Sequence, residues 1–497
     1  MAIVELCGLL VATGLTFVIF DYLFNHKNAT IPFASGHIPV LGHLANVRKY
    51  VEQGKAHQFF IDLNKKYGPI VRFRFLSEHS IVISDPTAAK VVLSDSTSFP
   101  RGNKGHVVAE GMFYNGLFIM PTDEVWKMHR KLLQPGFGPT HLRHAVTAAS
   151  AVGDELLQLW DTIYDNAQKA GGEARAIINA HLYMSCATLD VLGQVAFSYT
   201  FGHVRSLKSH DVEAQALFRA YEVINHALTR RALLPRILWN LAKVGPNDIK
   251  SGTAAVLDAV NAIVDSRKKR SDAFQASDTS ADFLDRLLSS GKLSDQDILD
   301  ELVAFFIAGF ETTSNTLTTA MMCLAQHPDA MKMIQEEVDS VLGSSLDVNS
   351  DDMSRLVVTD AIVKETLRLY PTIPVLRRSC VKESTLVSHK VARGTVVYIN
   401  INSIHHDPQS YPDPQSFQPS RWLKADPAPP GSFIPFGLGV HNCIGQKMAL
   451  NETKTLLVKL AARYTWKIVP GQALRIVYSV TAGLKDGLFL ELEKRSV

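Results

Sequence analysis

A cysteine in the last part of the chain lies in a glycine-rich segment that a predicted helix follows directly. The segment reads Phe436-Gly437-Leu438-Gly439-Val440-His441-Asn442-Cys443-Ile444-Gly445, and the helix is predicted over Gln446 to Tyr464. Glycines allow positive φ and a close backbone approach to a flat object, and they leave amide N–H groups free to point at a sulfur atom. A helix N-terminus next to Cys443 favours its thiolate form. The segment therefore predicts a tight loop that presents one thiolate.

Sequence alone leaves three interpretations of Cys443 open: a nucleophile, a metal ligand or a buried structural cysteine. Zinc is disfavoured because no second Cys or His pair lies at ligand spacing, and a nucleophile needs a base that the sequence does not identify. A single-thiolate ligand to a haem iron fits best. Five cysteines spread over 497 residues argue against a disulfide framework and for a reducing compartment.

One long predicted helix carries an acidic residue in an apolar setting. Ser294 can cap its first turn together with Asp297, and the proline after His327 ends it. Its middle reads Ala304-Phe305-Phe306-Ile307-Ala308-Gly309-Phe310-Glu311-Thr312-Thr313. Gly309 lowers the helix propensity of this stretch, and the carboxyl of Glu311 is costly to bury without a partner. Two interpretations stay open: a partly exposed face with a tolerated glycine, or a helix weakened locally to make room for a ligand.

Three further segments complete a pattern along the chain. They are Trp126-Lys127-Met128-His129-Arg130, Glu365-Thr366-Leu367-Arg368 and Phe417-Gln418-Pro419-Ser420-Arg421-Trp422. Together with the centre of the long helix and the cysteine loop, and in the same order along the chain, they resemble the motifs of the cytochrome P450 haem-thiolate monooxygenases. Ser420 departs from the family pattern, which usually has Glu before this Arg.

The resemblance implies a fold and a cofactor. The fold is mainly α with small β-sheets and forms a single large haem domain. Haem b is the implied cofactor and dioxygen the implied co-substrate, with Cys443 as the ligand of the iron. The other residues implied to hold the haem are Phe436, Gly437 and Gly445 in the loop, Trp126 and Arg130 at one propionate, His441 at the other, and Arg378 as a further candidate.

The resemblance also implies two groups of polar residues with separate roles. Glu365, Arg368 and Arg421 form an ion network that stabilises the haem domain, and the i, i+3 spacing allows the first two to pair on one helix face. Thr312 and Glu311 deliver protons for oxygen activation, and Glu311 receives these protons through solvent. This pair favours a monooxygenase over two alternatives that stay open, a haem-thiolate isomerase or dehydratase and a non-catalytic haem- or lipid-binding protein.

The first 24 residues predict a transmembrane anchor. Leu6 to Phe20 carry no charge, and apolar residues up to Phe24 extend the run to ~19 residues, the length of a short span. A cleaved signal peptide is the alternative, but Glu5 stands where such a peptide has Lys or Arg. Residues 25–45 form a proline-containing linker, and residues 46–497 form the haem domain.

Charge predicts the location and the partners of the chain. Lys27, Arg48 and Lys49 follow the span, so the positive-inside rule predicts a single-pass protein of the endoplasmic reticulum membrane with its haem domain in the cytosol. A net charge of +3 gives no reason to expect nucleic acid as a partner. The resemblance implies electrons from NADPH–cytochrome P450 reductase, with a cytochrome b-type protein as an auxiliary donor. Lys127 and Lys447 are candidates for docking the reductase.

Apolar residues in the segments that contact substrate in the family predict a lipophilic substrate, although core packing would produce the same residues. They are Phe113, Phe118, Phe305, Ile373 and Val375. The segment Arg230 to Trp239 combines leucines with arginines and predicts either a surface that enters the membrane or the end of an amphipathic core helix. The sequence also predicts a hairpin over residues 70–83. It predicts a solvated loop over Arg267-Lys268-Lys269-Arg270 and the following Ser271 to Ala281, with a nuclear signal in the basic run as the alternative.

Overall fold

The structure is a computed structural model that describes residue 28 and residues 30–495, apart from 114, 172–174, 208–211, 235, 271–280, 344, 425–427, 479 and 485. The predicted anchor over residues 1–24 lies outside the described residues. Within the part of the chain that is described, no helix has the length and the apolar character that a membrane crossing requires.

Helices account for 57% and strands for 12% of the structure, which confirms the prediction of a mainly α fold with small β-sheets. The α-helices are α1 (Leu44–Glu52), α2 (Ala56–Tyr67), α3 (Pro86–Ser94), α4 (Lys104–Val108), α5 (Glu124–Leu133), α6 (Pro139–Ala170), α7 (Ala180–Phe197), α8 (His203–Ser206), α9 (Val212–Leu233), α10 (Pro246–Arg270), α11 (Phe283–Ser289), α12 (Asp295–Gln326), α13 (Pro328–Leu342), α14 (Val357–Leu369), α15 (Ile401–His405) and α16 (Gln446–Arg463). Short 3₁₀ helices cover Gln134–Phe137, Arg236–Leu238, Asp352–Ser354, Pro419–Leu423 and Gly439–His441.

Four small sheets contain the strands. The strands are β1 (Ile70–Phe75), β2 (Glu78–Ile83), β3 (Ile177–Asn179), β4 (Val375–Ser379), β5 (Ser384–Leu386), β6 (His389–Val391), β7 (Val396–Asn400), β8 (Tyr464–Ile468), β9 (Ile476–Tyr478), β10 (Ala482–Leu484) and β11 (Phe489–Lys494). Their orders are β1-β2-β7-β4, β3-β11-β8, β9-β10 and β5-β6. All neighbours are antiparallel except β2 and β7, and the predicted hairpin over residues 70–83 is confirmed as β1 and β2.

The chain divides into two compact units. The first contains the described residues up to Gly102, Ile373–Pro414 and Ala428–Asn442, and the second contains Asn103–Thr372, Gln415–Pro427 and Cys443–Val497 as far as they are described. In the first unit, alternating apolar residues of β2 and β7 pack with Ile70 of β1 and with α3 in one buried cluster. Part of the predicted linker belongs to this unit, because Phe33 and Gly42 bridge to β1 and Ile31 is buried.

The second unit is helical at its centre. Helix α12 packs against α7, and α16 packs against α6. Helix α12 begins after Ser294, whose hydroxyl accepts from the Asp297 amide while the Asp297 carboxylate accepts from the Ser294 amide. Its C-cap is His327, so both predicted ends are confirmed. Helix α6 has the same length of 32 residues, which the sequence did not single out.

The predicted loop is wrong at Arg267-Lys268-Lys269-Arg270, because these residues form the last turn of α10. Its continuation over residues 271–280 lies outside the described residues. The Arg267 guanidinium is mostly buried, donates to Asp282 at 2.5 Å and also pairs with Asp285. It further donates to the carbonyl of Phe197 at 2.8 Å. A basic run of this kind is usually solvated. Here Arg267 is packed into the structure because it pairs with Asp282 and Asp285, which follow residues 271–280 in the chain.

Candidate active site

Cys443 belongs to the second unit, and its side chain is accessible although protein surrounds it. The surrounding protein removes solvation from the thiol and so raises the pKa of Cys443. A hydrogen bond from the Gly445 amide and the positive charge of Arg130 act in the opposite direction. The amide therefore points at the sulfur, as predicted. The desolvation cost exceeds the effects of the amide and of Arg130 on the thiol pKa, and the role of Cys443 as a thiolate ligand stays a prediction.

Helix α5 carries Trp126 and Arg130, one turn apart. Asp123 caps this helix by accepting from the Trp126 amide at 2.8 Å, and the Trp126 side chain is buried. Arg130 is half-buried, and burial lowers the pKa of its guanidinium, while the charge on Cys443 raises it. The fold therefore brings Arg130 close to Cys443, although the two lie in distant parts of the sequence.

A buried histidine–carboxylate pair holds α5, and no sequence motif predicts it. His129 Nδ1 lies 2.6 Å from Glu301 Oε1 of α12, and neither side chain is exposed by more than 1%. Glu301 Oε2 also accepts from the Leu117 amide at 3.1 Å, and burial raises the pKa of this carboxyl. His129 lies inside the Trp126-to-Arg130 motif, but one His has no spacing that identifies a partner 172 residues away.

The first unit contains the remaining part of the cysteine loop. Gly437 and Gly439 have φ of 70° and 71°, which confirms the predicted positive φ, and a Cβ on Gly439 would lie 2.2 Å from the Leu93 carbonyl oxygen. Phe436 is half-buried and His441 is buried. Gly445, which the fold assigns to the second unit, has an ordinary φ of −87°, so its contribution is the amide that faces the sulfur.

Arg378 of β4 is a buried cation in the first unit. Its side chain is 4% exposed, and its Nη1 donates to the carbonyl of Arg377 at 2.9 Å. No carboxylate of the described residues pairs with it, and burial lowers the pKa of its guanidinium to about 10. A buried guanidinium without a carboxylate partner is costly, so Arg378 has the charge and the burial that an anionic ligand group requires.

Glu365 of α14 is the centre of a buried ion network in the second unit. Its two oxygens accept from Arg368 at 2.8 and 2.9 Å, from Arg421 at 3.0 Å, and from the Gln418 amide and the Trp422 indole at 2.9 Å each. Neither Glu365 nor Arg368 is exposed. Burial opposes ionisation, but the hydrogen bonds and the charge of Arg368 outweigh it and lower the pKa of Glu365. The structure thus places the three residues of the predicted network in contact.

Helix α12 is continuous through Gly309, Glu311 and Thr312. The Thr312 hydroxyl donates to the Ala308 carbonyl at 2.7 Å, as is common for threonine within a helix. A Cβ on Gly309 would lie 2.7 Å from Leu192 Cδ1 of α7, so the glycine allows the two helices to pack closely. A packing contact therefore accounts for Gly309, and the interpretation of a helix weakened locally to make room for a ligand stays a prediction.

Glu311 is buried and hydrogen-bonded, which excludes the interpretation of a partly exposed face. Its side chain is 8% exposed, and its Oε1 accepts from Asn315 Nδ2 at 2.7 Å and from Thr481 Oγ1 at 2.9 Å. Burial raises the pKa of Glu311 to about 7, although these donors favour the charged form. Thr481 precedes β10 and no motif marks it, so the sequence carried no signal for this contact.

These features fit haem b. The thiol of Cys443 is accessible although protein surrounds it, which is the arrangement that a ligand to iron requires. In the second unit, Arg130 is a cation near Cys443. In the first unit, Arg378 is a buried cation without a carboxylate partner among the described residues, and each has the charge that a propionate requires. Gly437 and Gly439 have no side chain and allow the loop backbone to turn with positive φ, which leaves room for a flat group next to it.

Comparisons with known proteins identify relatives over nearly the whole chain. The family model described as Cytochrome P450 matches residues 32–485. The Arabidopsis thaliana protein LUTEIN DEFICIENT 5, chloroplastic, is 27% identical over 463 residues, which cover 88% of this chain and 74% of the relative. Cytochrome P450 3A13 of Mus musculus is 27% identical over 413 residues, with coverages of 82% and 80%. Cytochrome P450 3A14 of Cavia porcellus is 29% identical over 442 residues, with coverages of 86% and 84%.

Proposed function

Because the chain belongs to the cytochrome P450 family, we propose that it inserts one atom of dioxygen into a lipophilic substrate with electrons that come from NADPH. Proteins of this family are monooxygenases that bind haem b and use dioxygen as co-substrate. The observation that carries the proposal is the pair formed by Glu311, a buried acid with a pKa of about 7, and the Thr312 hydroxyl next to it in α12. An acid in this pKa range donates and regains protons near neutral pH.

The side chains of this chain would perform three tasks around the cofactor. Haem b, when bound through a thiolate, supplies the activation of dioxygen. Cys443 would be the ligand of the iron, and Trp126, Arg130, Arg378 and His441 would hold the propionates. Thr312 would hold a water molecule or the co-substrate dioxygen in place, since its hydroxyl donates to the Ala308 carbonyl and its oxygen can still accept a hydrogen bond. Glu311 would supply the protons.

The Glu365 network would keep the cysteine-bearing part of the second unit stable enough to hold haem. Two of the five hydrogen bonds to the Glu365 carboxylate come from Arg368 within α14. The other three, from the Gln418 amide, Arg421 and Trp422, join α14 to the 3₁₀ segment Pro419–Leu423 and the residue before it. Charge-assisted hydrogen bonds of this kind are about twice as strong as neutral ones. We therefore assign Glu365, Arg368 and Arg421 to stability rather than to the reaction.

Aromatic and aliphatic side chains near α12 support a lipophilic substrate. In the second unit the rings of Phe113 and Phe118 are 5.3 Å apart, and a Cβ on Gly116 would lie 2.5 Å from Ala304 Cβ, so this loop packs directly on α12. Phe305 of the same helix is half-buried beside Phe283. Sterols, fatty acids and terpenoids are the substrate classes we propose for a site of this composition.

The segment after α9 supports contact with a membrane. Ile237 and Leu241 are 88% and 84% exposed, which is unusual for large apolar side chains, and Arg236 lies beside them. We propose that this surface lies on the endoplasmic reticulum membrane, with residues 1–24 as a single-pass anchor and the haem domain in the cytosol. Substrate would then enter from the bilayer.

Electrons would come from a diflavin NADPH–cytochrome P450 reductase, with a cytochrome b-type donor as an auxiliary. Lys127 and Lys447 are both exposed, although Lys127 already pairs with Glu124 at 2.6 Å. We propose these two lysines as part of the docking surface because acidic redox partners are attracted by exposed positive charge. Reversal of both charges should weaken reductase binding, and an unchanged affinity would exclude this surface.

The experiment that tests the proposed function uses the full chain loaded with haem. The reduced protein treated with carbon monoxide should show the difference spectrum of a haem-thiolate, and Cys443→Ser should lose it. Incubation with reductase, NADPH and ¹⁸O₂ across a panel of sterols, fatty acids and terpenoids should yield a product with one labelled oxygen atom. Rearrangement of a peroxide substrate without NADPH would instead establish an isomerase, and binding without turnover would establish a haem- or lipid-binding protein.

A further inference from the structure

Helix α12 is buried along most of its length, except for one stripe of accessible residues in its middle. Between Asp300 and Leu324, all residues of the helix are described, and the partly accessible ones are Phe305, Ala308, Gly309 and Thr312. Their spacing of three, one and three positions places them on one face of the helix. Thr312 belongs to the proposed reactive pair, so the space along this stripe is where a substrate would lie.

The same face of α12 continues toward the start of the helix, where it contacts residues 115–118, the loop before α5. Asp297, Glu301, Ala304 and Ala308 follow each other at intervals of four, three and four residues, which is the spacing of one helix face. Ala308 belongs to the accessible stripe, and the three residues before it contact the loop. Loop 115–118 is therefore docked on α12 directly beside the stripe.

Carboxyl groups of α12 hold the backbone of loop 115–118. Glu301 Oε2 accepts from the Leu117 amide at 3.1 Å, and Asp300 Oδ2 accepts from the Asn115 amide at 2.9 Å. Asp297 Oδ1 also accepts from Asn115 Nδ2 at 2.7 Å. Glu301 and Asp300 are both buried, and hydrogen bonds are electrostatically stronger inside a protein than in water. These three hydrogen bonds fix the loop relative to α12.

Glu301 also joins the loop to α5. Its other oxygen, Oε1, lies 2.6 Å from His129 Nδ1, and His129 precedes Arg130 in the same helix. One buried carboxyl group therefore binds both the loop that ends at Phe118 and the helix that carries a proposed propionate ligand. Loss of this carboxyl group would release the loop and α5 together.

Gly116 lies between the two amides that α12 holds, and it packs directly on Ala304. A Cβ on Gly116 would lie 2.5 Å from the Ala304 Cβ, whereas carbon atoms in contact are about 3.5 to 4.0 Å apart. Gly116 does not have a positive φ, so the close approach to α12 requires this glycine and the backbone conformation does not. A larger residue would displace the loop from α12 by about 1 Å.

A displaced loop would change the space along the accessible stripe, because the loop carries an exposed aromatic ring. Phe118 follows Leu117 directly and is 38% exposed, and its ring lies 5.3 Å from the ring of the buried Phe113. Ala304, where the loop is docked, and Thr312 are eight residues apart, which is ~12 Å along the helix. The loop and Thr312 thus stand at the two ends of the stripe.

We propose that Glu301 and the contact between Gly116 and Ala304 determine substrate specificity. They set the distance of loop 115–118 from α12 and thereby the size of the lipophilic group that fits along the accessible stripe. This inference rests on the proposed function, because it assigns one wall of that site. Glu301, Gly116 and Ala304 are positioning residues, since they act through the loop and not on the reacting atoms.

Hydrogen–deuterium exchange of backbone amides tests the role of Glu301 without any turnover. In the full, haem-loaded chain, Glu301→Leu should speed the exchange of the Leu117 amide by about tenfold or more, which corresponds to the loss of one hydrogen bond to a charged acceptor. Glu337→Leu is the matched control, because Glu337 of α13 is also buried and accepts from the Thr359 amide of α14 at 2.8 Å. This control should leave the exchange of loop 115–118 at the wild-type rate.

Nitrogen ligands of haem that differ in size test the wall itself. Imidazole and 4-phenylimidazole differ by one phenyl ring, and spectral titration of the haem-loaded chain gives the Kd of each. We expect Gly116→Ala to weaken 4-phenylimidazole binding by about fivefold, the factor that corresponds to about 40 Å² of lost apolar contact, and to leave imidazole binding unchanged. Gly116→Ala combined with Ala304→Gly removes the clashing Cβ, so the ratio of the two Kd values should return to within about twofold of wild type.

The outcomes separate the inference from the proposed function. An unchanged Kd ratio in Gly116→Ala would overturn the inference, and so would an equal loss of affinity for both ligands, which indicates damage to the haem site. Wild-type exchange of the Leu117 amide in Glu301→Leu would overturn the role of Glu301, and the Gly116→Ala test does not depend on that variant. A protein that shows the expected exchange and Kd ratios but inserts oxygen into no lipid would support the inference and refute the proposed function.

Discussion

Substitution of Glu365 by alanine should destabilise the second unit strongly enough to cause loss of haem. The substitution removes a carboxylate that is fully buried and accepts five hydrogen bonds, and it leaves the fully buried Arg368 without its counter-charge. Breaking a buried ion pair costs about 3 to 5 kcal/mol, and each neutral donor left unpaired adds about 1 kcal/mol or more. With the Gln418 amide and the Trp422 indole both affected, the expected loss is about 5 to 7 kcal/mol, comparable with the total stability of many domains at about 5 to 15 kcal/mol.

The assay is urea unfolding followed by haem absorbance and by circular dichroism, with Glu336→Ala as the matched control. Glu336 lies on helix α13 and pairs with Lys332 at 3.7 Å, with both side chains mostly exposed. Such a pair contributes about 0.5 kcal/mol or less, so the control should unfold close to wild type. A Glu365→Ala protein that retains haem and unfolds within about 1 kcal/mol of the control would refute the reasoning, because a buried, unpaired Arg368 would then have no measurable cost.

Three further predictions follow from the site. Thr312→Ala should raise hydrogen peroxide release per NADPH several-fold while the carbon monoxide spectrum stays that of a haem-thiolate, and unchanged release would exclude the hydroxyl from proton delivery. Arg378→Met should weaken haem retention in a transfer assay by about tenfold, the effect of one charge-assisted hydrogen bond, whereas unchanged transfer would show that this cation serves another anion. Glu311 binds a proton more tightly in the folded than in the unfolded chain, so the free energy of unfolding should fall as pH rises from about 4.5 to about 7, by about 3 kcal/mol relative to Glu311→Gln. Parallel stability profiles of wild type and Glu311→Gln between pH 4.5 and 8 would contradict the raised pKa of this acid.

Local signals in the sequence were sufficient to predict the elements that carry the site. The cap at Ser294 and the stop at His327 are each decided by a few neighbouring residues, and the ends of α12 follow them. The same holds for the hairpin of β1 and β2 and for the helix that begins at Gln446. The positive φ of Gly437 was predictable because glycine reaches that region at little cost.

Contacts between distant segments could not be predicted in this way. Glu311 was predicted as an acid of the site, but its partners Tyr221 and Thr481 come from segments without a motif. Arg267 was assigned to a solvated loop because a basic run is normally exposed, and its carboxylate partners are decided by tertiary packing. The raised pKa of the Cys443 thiol likewise depends on how deeply the fold buries it, which helix position alone does not reveal.

The hydrogen bond between Thr481 and Glu311 joins residues 170 positions apart, and this separation has a consequence for synthesis on the ribosome. Translation adds about 5 to 20 residues per second, so about 10 to 30 s pass between the addition of Glu311 and the addition of Thr481. Helix α12 can be complete during that interval while its acid still lacks this hydroxyl partner. A chain truncated between the two positions therefore contains both Glu311 and Thr312 but lacks the Thr481 hydroxyl that donates to the Glu311 carboxyl.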